Sequence, residues 1–418
     1  MCSSTFFWRF CASGVFAVAA PLAGGTLGVR METPRKVALL IETSNTYARE
    51  VLHGIRAWQR EHGGWTIRLS EQGRGAEVPG WLEDWRGDGV IARVENERIA
   101  TALRRKRIPV VDVSAALAEP PFPRVVTDSS EATRLAAEHL CERGFEHFGY
   151  CGDPRFLWAR QRGRYFQAHL AGVGKSCATF APPARSMRRP GGDGELRAIA
   201  RWLERLPRPA GVLACYDIRG QQVLEACQLA GLRVPDEIAV IGVHNDELVC
   251  DLCAPPLTSV MPDARRAGCE AAALLTRMMA GERVAAGIRT VPPVGVACRQ
   301  STDVVAVSDE KVAAAVRFMR EHAHEGIGVA DVLRAVPMSR TLLERRFKVL
   351  LGRTLHEHLL RTKLDRVRML LATTDLSVGA IAEKAGFAYQ EYLTVAFRRA
   401  TGLTPRAFRQ RHRTTGAA

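Results

Sequence analysis

Low-complexity sequence is absent from the 418 residues, so most of the chain is expected to be globular, and its length calls for two or three domains. Acidic residues are in deficit. Against 59 Lys and Arg stand 44 Asp and Glu, a formal net charge of +15 that points to a polyanionic partner. Charge alone does not separate nucleic acid from an acidic membrane surface. Paired cysteines are also lacking: the eleven are odd in number and irregularly spaced, which excludes a disulfide framework. The one close pair, Cys250 and Cys253 in CDLC, has no second pair to complete a four-ligand site. The eleven histidines form no spaced cluster, and His356 and His358 in HEHLL stand two apart, which a helix points in different directions. No metal and no cofactor is expected. A phosphate-cradling loop is missing too, because AGVGKS (171–176) follows a helix and has His169 where the first glycine belongs. The apolar run in the first thirty residues is too short and too broken by Gly and Pro to span a bilayer, so no membrane partner is expected. Residues 1–30 read as a signal-like segment or, more plainly, as sequence ahead of a true start at Met31. Either way they are set aside from the fold.

From 36 to about 300, brief apolar runs rich in Val and Ile alternate with helical patterns. KVALLIE (36–42), GVIAR (89–93), PVVDVS (109–114), FGYCGD (148–153), GVLACYD (211–217) and IAVIGVHND (238–246) read as buried strands. Helices are expected over Tyr47–Glu61, Ser129–Arg143 and Ile218–Ala230. Such alternation gives parallel sheets covered on both faces, and the strand count is too high for one small sheet. The expectation is an α/β sensor of two Rossmann-like lobes over 31–300, with RVVTD before Ser129 as a crossing between them. A polar linker over 301–310 follows, then an all-α domain over 311–413.

That last domain carries a pattern written twice. Val332, Leu343, Phe347, Gly352 and Thr354 recur as Ile381, Leu393, Phe397, Gly402 and Thr404, with an offset of 49 that becomes 50 at the turn. Each copy reads as a short helix, a turn and a longer helix, which is helix-turn-helix logic. Ile381, Ala382 and Ala385 make the inner face of the second short helix, Gly386 permits the turn and Phe387 plugs it. Leu393, Val395 and Phe397 are read as the apolar groups of the helix that follows. Arg340, Thr341, Glu344, Arg345 and Lys348 in the first unit, and Tyr389, Gln390, Glu391, Thr394 and Arg398 in the second, are the groove-facing candidates. Leu355, Leu359, Leu360, Leu364, Val367, Leu370 and Leu371 describe an amphipathic spacer of about twenty residues, roughly 30 Å long. Such a spacer holds two recognition helices about one duplex turn apart, so that one chain reads two successive major grooves of a DNA operator. The basic excess agrees: residues 308–418 carry 20 of the 59 Lys and Arg but 11 of the 44 acids, +9 on a quarter of the chain.

At these residues the chain resembles the AraC-type family of bacterial transcription regulators, with SVGAIAEKAGFAYQEYLTVAFRRATGLTPRAFR (377–409) similar to the family signature throughout. The resemblance implies base contacts from Thr341, Glu344 and Arg345, and from Gln390, Glu391 and Thr394. Two departures stand out. Pro337 occupies the first unit's turn glycine, and Val395 stands where an Arg is frequent, so the second unit is expected to make fewer contacts. Residues 31–300 resemble the sensor of the xylose-operon-activator (XylR-like) subfamily, itself related to LacI-type and periplasmic sugar-binding proteins. The segments that carry this are LLIETSNTYAREVLHGI, WLEDWRGDGVIA, VTDSS, IAVIGVHNDE and VPPVGVACRQSTD.

The resemblance implies a cytoplasmic homodimer that activates a pentose catabolic operon, with a sugar effector and, for an activator, RNA polymerase as partners. Strand ends offer Asn45, Tyr47, Asp128, Arg162, Asp217, His244, Asn245 and Asp246 to that sugar, since ligands sit outside the carboxyl ends of parallel strands. His244 replaces the Asp usual in LacI-type sensors, which leaves a different sugar open. A second alternative is an amidotransferase-like sensor with Cys215 as nucleophile and His244 as its base, although no enzymatic activity is expected.

Overall fold

Among the described residues, two six-stranded sheets are built from strands between Arg35 and Ala297. The computed structural model describes residues 34–71, 73, 77–182, 192–303 and 309–413. The segment 1–30 and linker residues 304–308 therefore lie outside the described residues. The first sheet runs β11-β5-β4-β3-β1-β2, built from Arg35–Leu40 (β1), Trp65–Leu69 (β2), Gly89–Ala92 (β3), Val110–Asp112 (β4), Arg124–Thr127 (β5) and Ile288–Val291 (β11), all parallel. The second runs β12-β10-β9-β8-β6-β7, from His147–Cys151 (β6), Cys177–Thr179 (β7), Ala210–Ala214 (β8), Ile238–Val243 (β9), Thr258–Met261 (β10) and Gly295–Ala297 (β12). Only β12 is antiparallel to its neighbour.

The six expected strands are present. Every residue of β3, β8 and β9 is buried, as sheets covered on both faces require. RVVTD proves to be both strand and crossing: β5 lies in the first sheet beside the edge strand β11, and the helix Ser129–Cys141 that follows packs in the second lobe. The chain crosses twice more, between β10 and the helix Ala264–Met279, whose Ala271 and Leu275 enter the first lobe's core, and between β11 and β12. Three crossings at one edge make a hinge. The strands sequence reasoning missed are short and lie toward the sheet edges or return late in the chain. In β2 (WTIRL) only Trp65 is fully buried, which erases the apolar run.

The sensor extends past residue 300. Ser301 and Thr302 are fully buried, with Ser301 Oγ donating to the Val240 carbonyl at 2.6 Å and the Thr302 carbonyl accepting from Arg143 Nε at 2.9 Å. These two residues, expected in the linker, are pinned into the second lobe because the Ser301 hydroxyl satisfies backbone groups there and the Thr302 hydroxyl bonds the His139 and Thr258 side chains, each at 2.8 Å. The helical domain opens one residue early, at Glu310, with Asp309 as its N-cap.

From there the chain is helical: Glu310–His322, Val329–Ala335, Arg340–Leu351, Leu355–Thr373, Val378–Lys384, Gln390–Thr401 and Pro405–Arg413. The expected spacer is the 19-residue helix Leu355–Thr373, about 28 Å long. It serves two cores. Leu355 and Leu359 join Val332, Leu343 and Phe347, whereas Leu364, Val367 and Leu371 join Ile381, Leu393 and Phe397. His356 is exposed while His358 is buried, so HEHLL does point its histidines apart.

Val395 is corrected: it is 67% exposed and takes no part in the core. The inner face of its helix is Leu393, Ala396 and Phe397, and a residue two positions from Leu393 turns about 200° away from it.

Candidate functional site

The duplication recurs in the structure at the ends of the two longer helices. Gly352 and Gly402 end the two longer helices in the left-handed conformation, at φ 70° and 74°. Thr354 and Thr404 then cap the next helices, their hydroxyls accepting from Glu357 N at 3.2 Å and Ala407 N at 3.1 Å. The turns differ for a physical reason. Gly386 sits at φ 75° against Ala323, where a Cβ would come within 1.9 Å of the Ala323 carbonyl oxygen. In the first unit Val336 leaves its helix extended, at φ −113° and ψ 108°, the conformation proline imposes on its predecessor. Pro337 thus reaches a turn by another route.

The spacer also ties the two units together through Lys363. Its ammonium donates to the Ile327 carbonyl at 2.9 Å and the Gly386 carbonyl at 2.8 Å, one from each unit. Arg366 Nε adds a bond to the Lys384 carbonyl at 2.8 Å. Such contacts fix the relative phase of the two longer helices, as reading two grooves requires.

Of the groove-facing candidates, Arg340, Thr341, Arg345, Lys348, Tyr389, Gln390, Glu391 and Arg398 are exposed, and Glu344 and Thr394 are half-buried. Glu344 accepts from Arg340 Nε at 3.0 Å, which leaves Arg345 and Lys348 as the freer cations of the first helix. Arg340, Thr341, Glu344, Arg345 and Lys348 line one concavity with Thr354 and His356. Thr394 donates its hydroxyl to the Gln390 carbonyl at 2.9 Å.

In the sensor, the carboxyl edges of the two sheets face each other. Tyr47, after β1, meets His244, after β9, with ring centroids 5.2 Å apart. Trp158 stands 6.5 Å from His244, with Tyr216 at 5.9 Å and Phe156 at 5.2 Å from Trp158, so one wall of the cleft is aromatic. The Arg162 guanidinium lies 5.3 Å over Trp158 and donates to the Cys215 carbonyl. Thr127 donates to the Tyr47 hydroxyl at 3.2 Å. Asn45 caps its helix with Oδ1, 2.9 Å from Ala48 N, and leaves Nδ2 buried without a partner; Arg162 Nε and Ser114 Oγ are likewise buried and unpaired.

The structure therefore brings Asn45, Tyr47, Arg162 and His244 together. Asp128 and Asp246 are at the same edge as helix N-caps, accepting from Glu131 N at 2.9 Å and Val249 N at 3.5 Å. Two expected contacts do not line the cleft. Asp217 is 2% exposed: it accepts from Ser259 Oγ at 2.6 Å and Asp246 N at 2.7 Å, and burial pushes its carboxyl up to about 7. It holds the 244–246 loop from beneath. Asn245 turns its Oδ1 to Arg299 Nη1 at 2.9 Å, in a left-handed conformation that, with His244 at φ 114°, tightens this loop. Sequence reasoning missed Trp158, Tyr216 and Arg93, which pairs with Glu95 at 2.8 Å and feels Glu42 and Tyr47. Tyr216, one residue before the Asp217 it did select, carried the needed signal, an aromatic between a strand and the helix that follows.

Cys215 as a nucleophile is overturned. It is fully buried, away from any solvent-borne substrate, and burial pushes its thiol up to about 11, which disfavours the thiolate a nucleophile needs. Among the described residues no group of side chains could hold a metal ion, and no helix is long and apolar enough to cross a membrane.

A two-lobed cleft joined to a pair of helix-turn-helix units defines the class: a sequence-specific DNA-binding transcription regulator with a periplasmic-binding-protein-like sensor. Comparison with known proteins agrees. Residues 36–130 match the XylR N-terminal domain, 137–302 the periplasmic binding protein-like domain and 332–411 a helix-turn-helix domain. The chain is 34% identical over 387 residues to the xylose operon regulatory protein of Escherichia coli (strain K12), covering 90% of this chain and 96% of that one. The corresponding protein of Haemophilus influenzae is 28% identical over 382 residues, 90% and 98% of the two chains. Among solved structures, that of the xylose-binding transcription activator xylR aligns with a TM-score of 0.59 at 32% identity, covering 91% of this chain and 98% of that one. The chain belongs to the family of xylose operon regulatory proteins, with an AraC-type DNA-binding domain. That family is one of transcription regulators rather than enzymes.

Proposed function

We propose that the protein activates a pentose catabolic operon when an aldopentose, D-xylose first among them, closes the cleft between the lobes. It acts as a cytoplasmic homodimer that presents its helix-turn-helix pairs to operator DNA and, as an activator, contacts RNA polymerase. The observation that carries this reading is the chemistry of the cleft. An aromatic wall of Tyr47, His244 and Trp158 carries the Arg162 guanidinium over Trp158, and Asn45, Ser114 and Arg162, all close after strand ends or on the helix beside the wall, hold buried polar atoms without partners. Sugars offer an apolar face and a ring of hydroxyls, and each buried hydroxyl must find a partner. Three further arginines of the sensor are matched by acids, which leaves Arg162 as the cation offered to the ligand and a neutral sugar favoured over a multiply charged phosphorylated one. Arg93 pairs with Glu95 at 2.8 Å, Arg219 with Glu195 at 3.0 Å, and Arg155 with Asp153. Asn45, Tyr47, Arg162 and His244 are the proposed first contacts, with Asp128 and Asp246 at the rim.

The sugar must bind the closed form better than the open one, or it shifts nothing. Isothermal titration of the purified protein with a panel of aldoses and their phosphates tests the proposal. The expected result is saturable binding of a neutral pentose, lost in Arg162→Ala and Tyr47→Ala. Heat from no sugar, or from phosphorylated sugars alone, refutes it and leaves the DNA-binding assignment intact.

A further inference from the structure

The two recognition helices can be laid over each other residue by residue, since Leu343 and Leu393, and Phe347 and Phe397, are buried at the same offset of fifty. On that alignment Arg345 falls on Val395. Both are exposed, Val395 at 67%. In the second helix Glu391, Thr394 and Arg398 surround it at four before, one before and three after, so it sits inside the polar face. An aliphatic side chain there contributes nothing to the core that buries Leu393, Ala396 and Phe397. Water gains nothing from it either.

Major-groove edges explain it. Arg is suited to the O6 and N7 acceptors of guanine, whereas the only apolar group a base offers there is the thymine methyl. We propose that Val395 packs on the 5-methyl group of a thymine, so that the two major-groove segments of the operator differ at this equivalent position, guanine under Arg345 and thymine under Val395. The inference rests on the operator-binding reading and adds a specificity-determining residue to it. It also replaces the expectation that a missing Arg weakens the second unit: the contact changes kind.

The test selects duplexes from a random pool with the full chain, then replaces each thymine of the selected site by deoxyuridine, which removes the methyl and keeps the pairing. One substitution, in the second segment, is expected to weaken wild-type binding about fourfold, the worth of one buried methyl-sized group. Val395→Ala, at an exposed site outside the core, should bind the parent duplex as weakly as wild type binds the uracil one, and should be indifferent to that substitution. Val395→Arg should move the selected base from thymine to guanine. If the wild type binds its selected site and no thymine-to-uracil change alters affinity, or if Val395→Ala keeps the same methyl sensitivity, the proposal is overturned. Failure to select any duplex overturns the operator-binding reading itself.

Discussion

The helix Ser129–Cys141 begins at the hinge, one residue after Asp128, and its far end grips the DNA-binding domain. Glu142, capping that end with a side chain only 12% exposed, lies 3.1 Å from Arg353 and 2.6 Å from Arg361, and Glu138 lies 2.9 Å from Arg361. One Glu142 oxygen, Oε1, is shared by both guanidinium groups as an ion pair. Burial acts first on Glu142 and raises its pKa despite the two cations. Removing one partner of a buried pair costs about 3–5 kcal/mol. Arg361 is 37% exposed, and water screening reduces this to about 2 kcal/mol.

Since Arg361 lies on the spacer helix and Arg353 in the turn that leads into it, that energy joins cleft to operator. The variants Glu142→Gln and Arg361→Met, with the double variant, are measured for the sugar-induced change in operator affinity. A double-mutant cycle is expected to give a coupling near 2 kcal/mol, and each single change to reduce the sugar effect by up to about thirtyfold, with sugar affinity itself unchanged. Additivity within about 0.5 kcal/mol, or an undiminished sugar response in the double variant, refutes the argument that this ionic cluster transmits closure.

Asp217 has its folded-state pKa raised by burial to about 7, above the unfolded carboxylate value. Stability from its retained proton is therefore full below pH 4 and lost as pH rises through about 7; thermal unfolding between pH 5 and 8 should show that fall, and Asp217→Asn should flatten it while weakening sugar binding through the 244–246 loop. Gly386→Ala, with φ 75° and a Cβ 1.9 Å from the Ala323 carbonyl oxygen, should cost more than about 2 kcal/mol, abolish operator binding and spare sugar titration. Arg345→Ala should weaken operator binding by about 1–3 kcal/mol and relax the preference at a single base, read by competition with substituted duplexes.

The sequence was decisive wherever function is local and periodic. The repeat from Val332 to Thr354 and from Ile381 to Thr404 prescribes helix faces, turns and caps within a few residues of one another, so the two groove-reading units and their spacer could be read directly. Apolar runs identified the central strands for the same reason, because burial on both faces leaves a continuous signature. The cleft was legible only in part. Chain order marks which residues end strands, yet Asn45, Tyr47, Arg162 and His244 meet only because three crossings set two sheets edge to edge. Asp217 and Asn245, equally promising as letters, are turned inward by Ser259 and Arg299, partners far along the chain. Val395 shows the same limit from the other side: its apolar character suggested core, and helical phase placed it on the surface. Contacts between distant segments, the cleft wall and the Glu142–Arg361 junction among them, follow from packing, which no single stretch encodes.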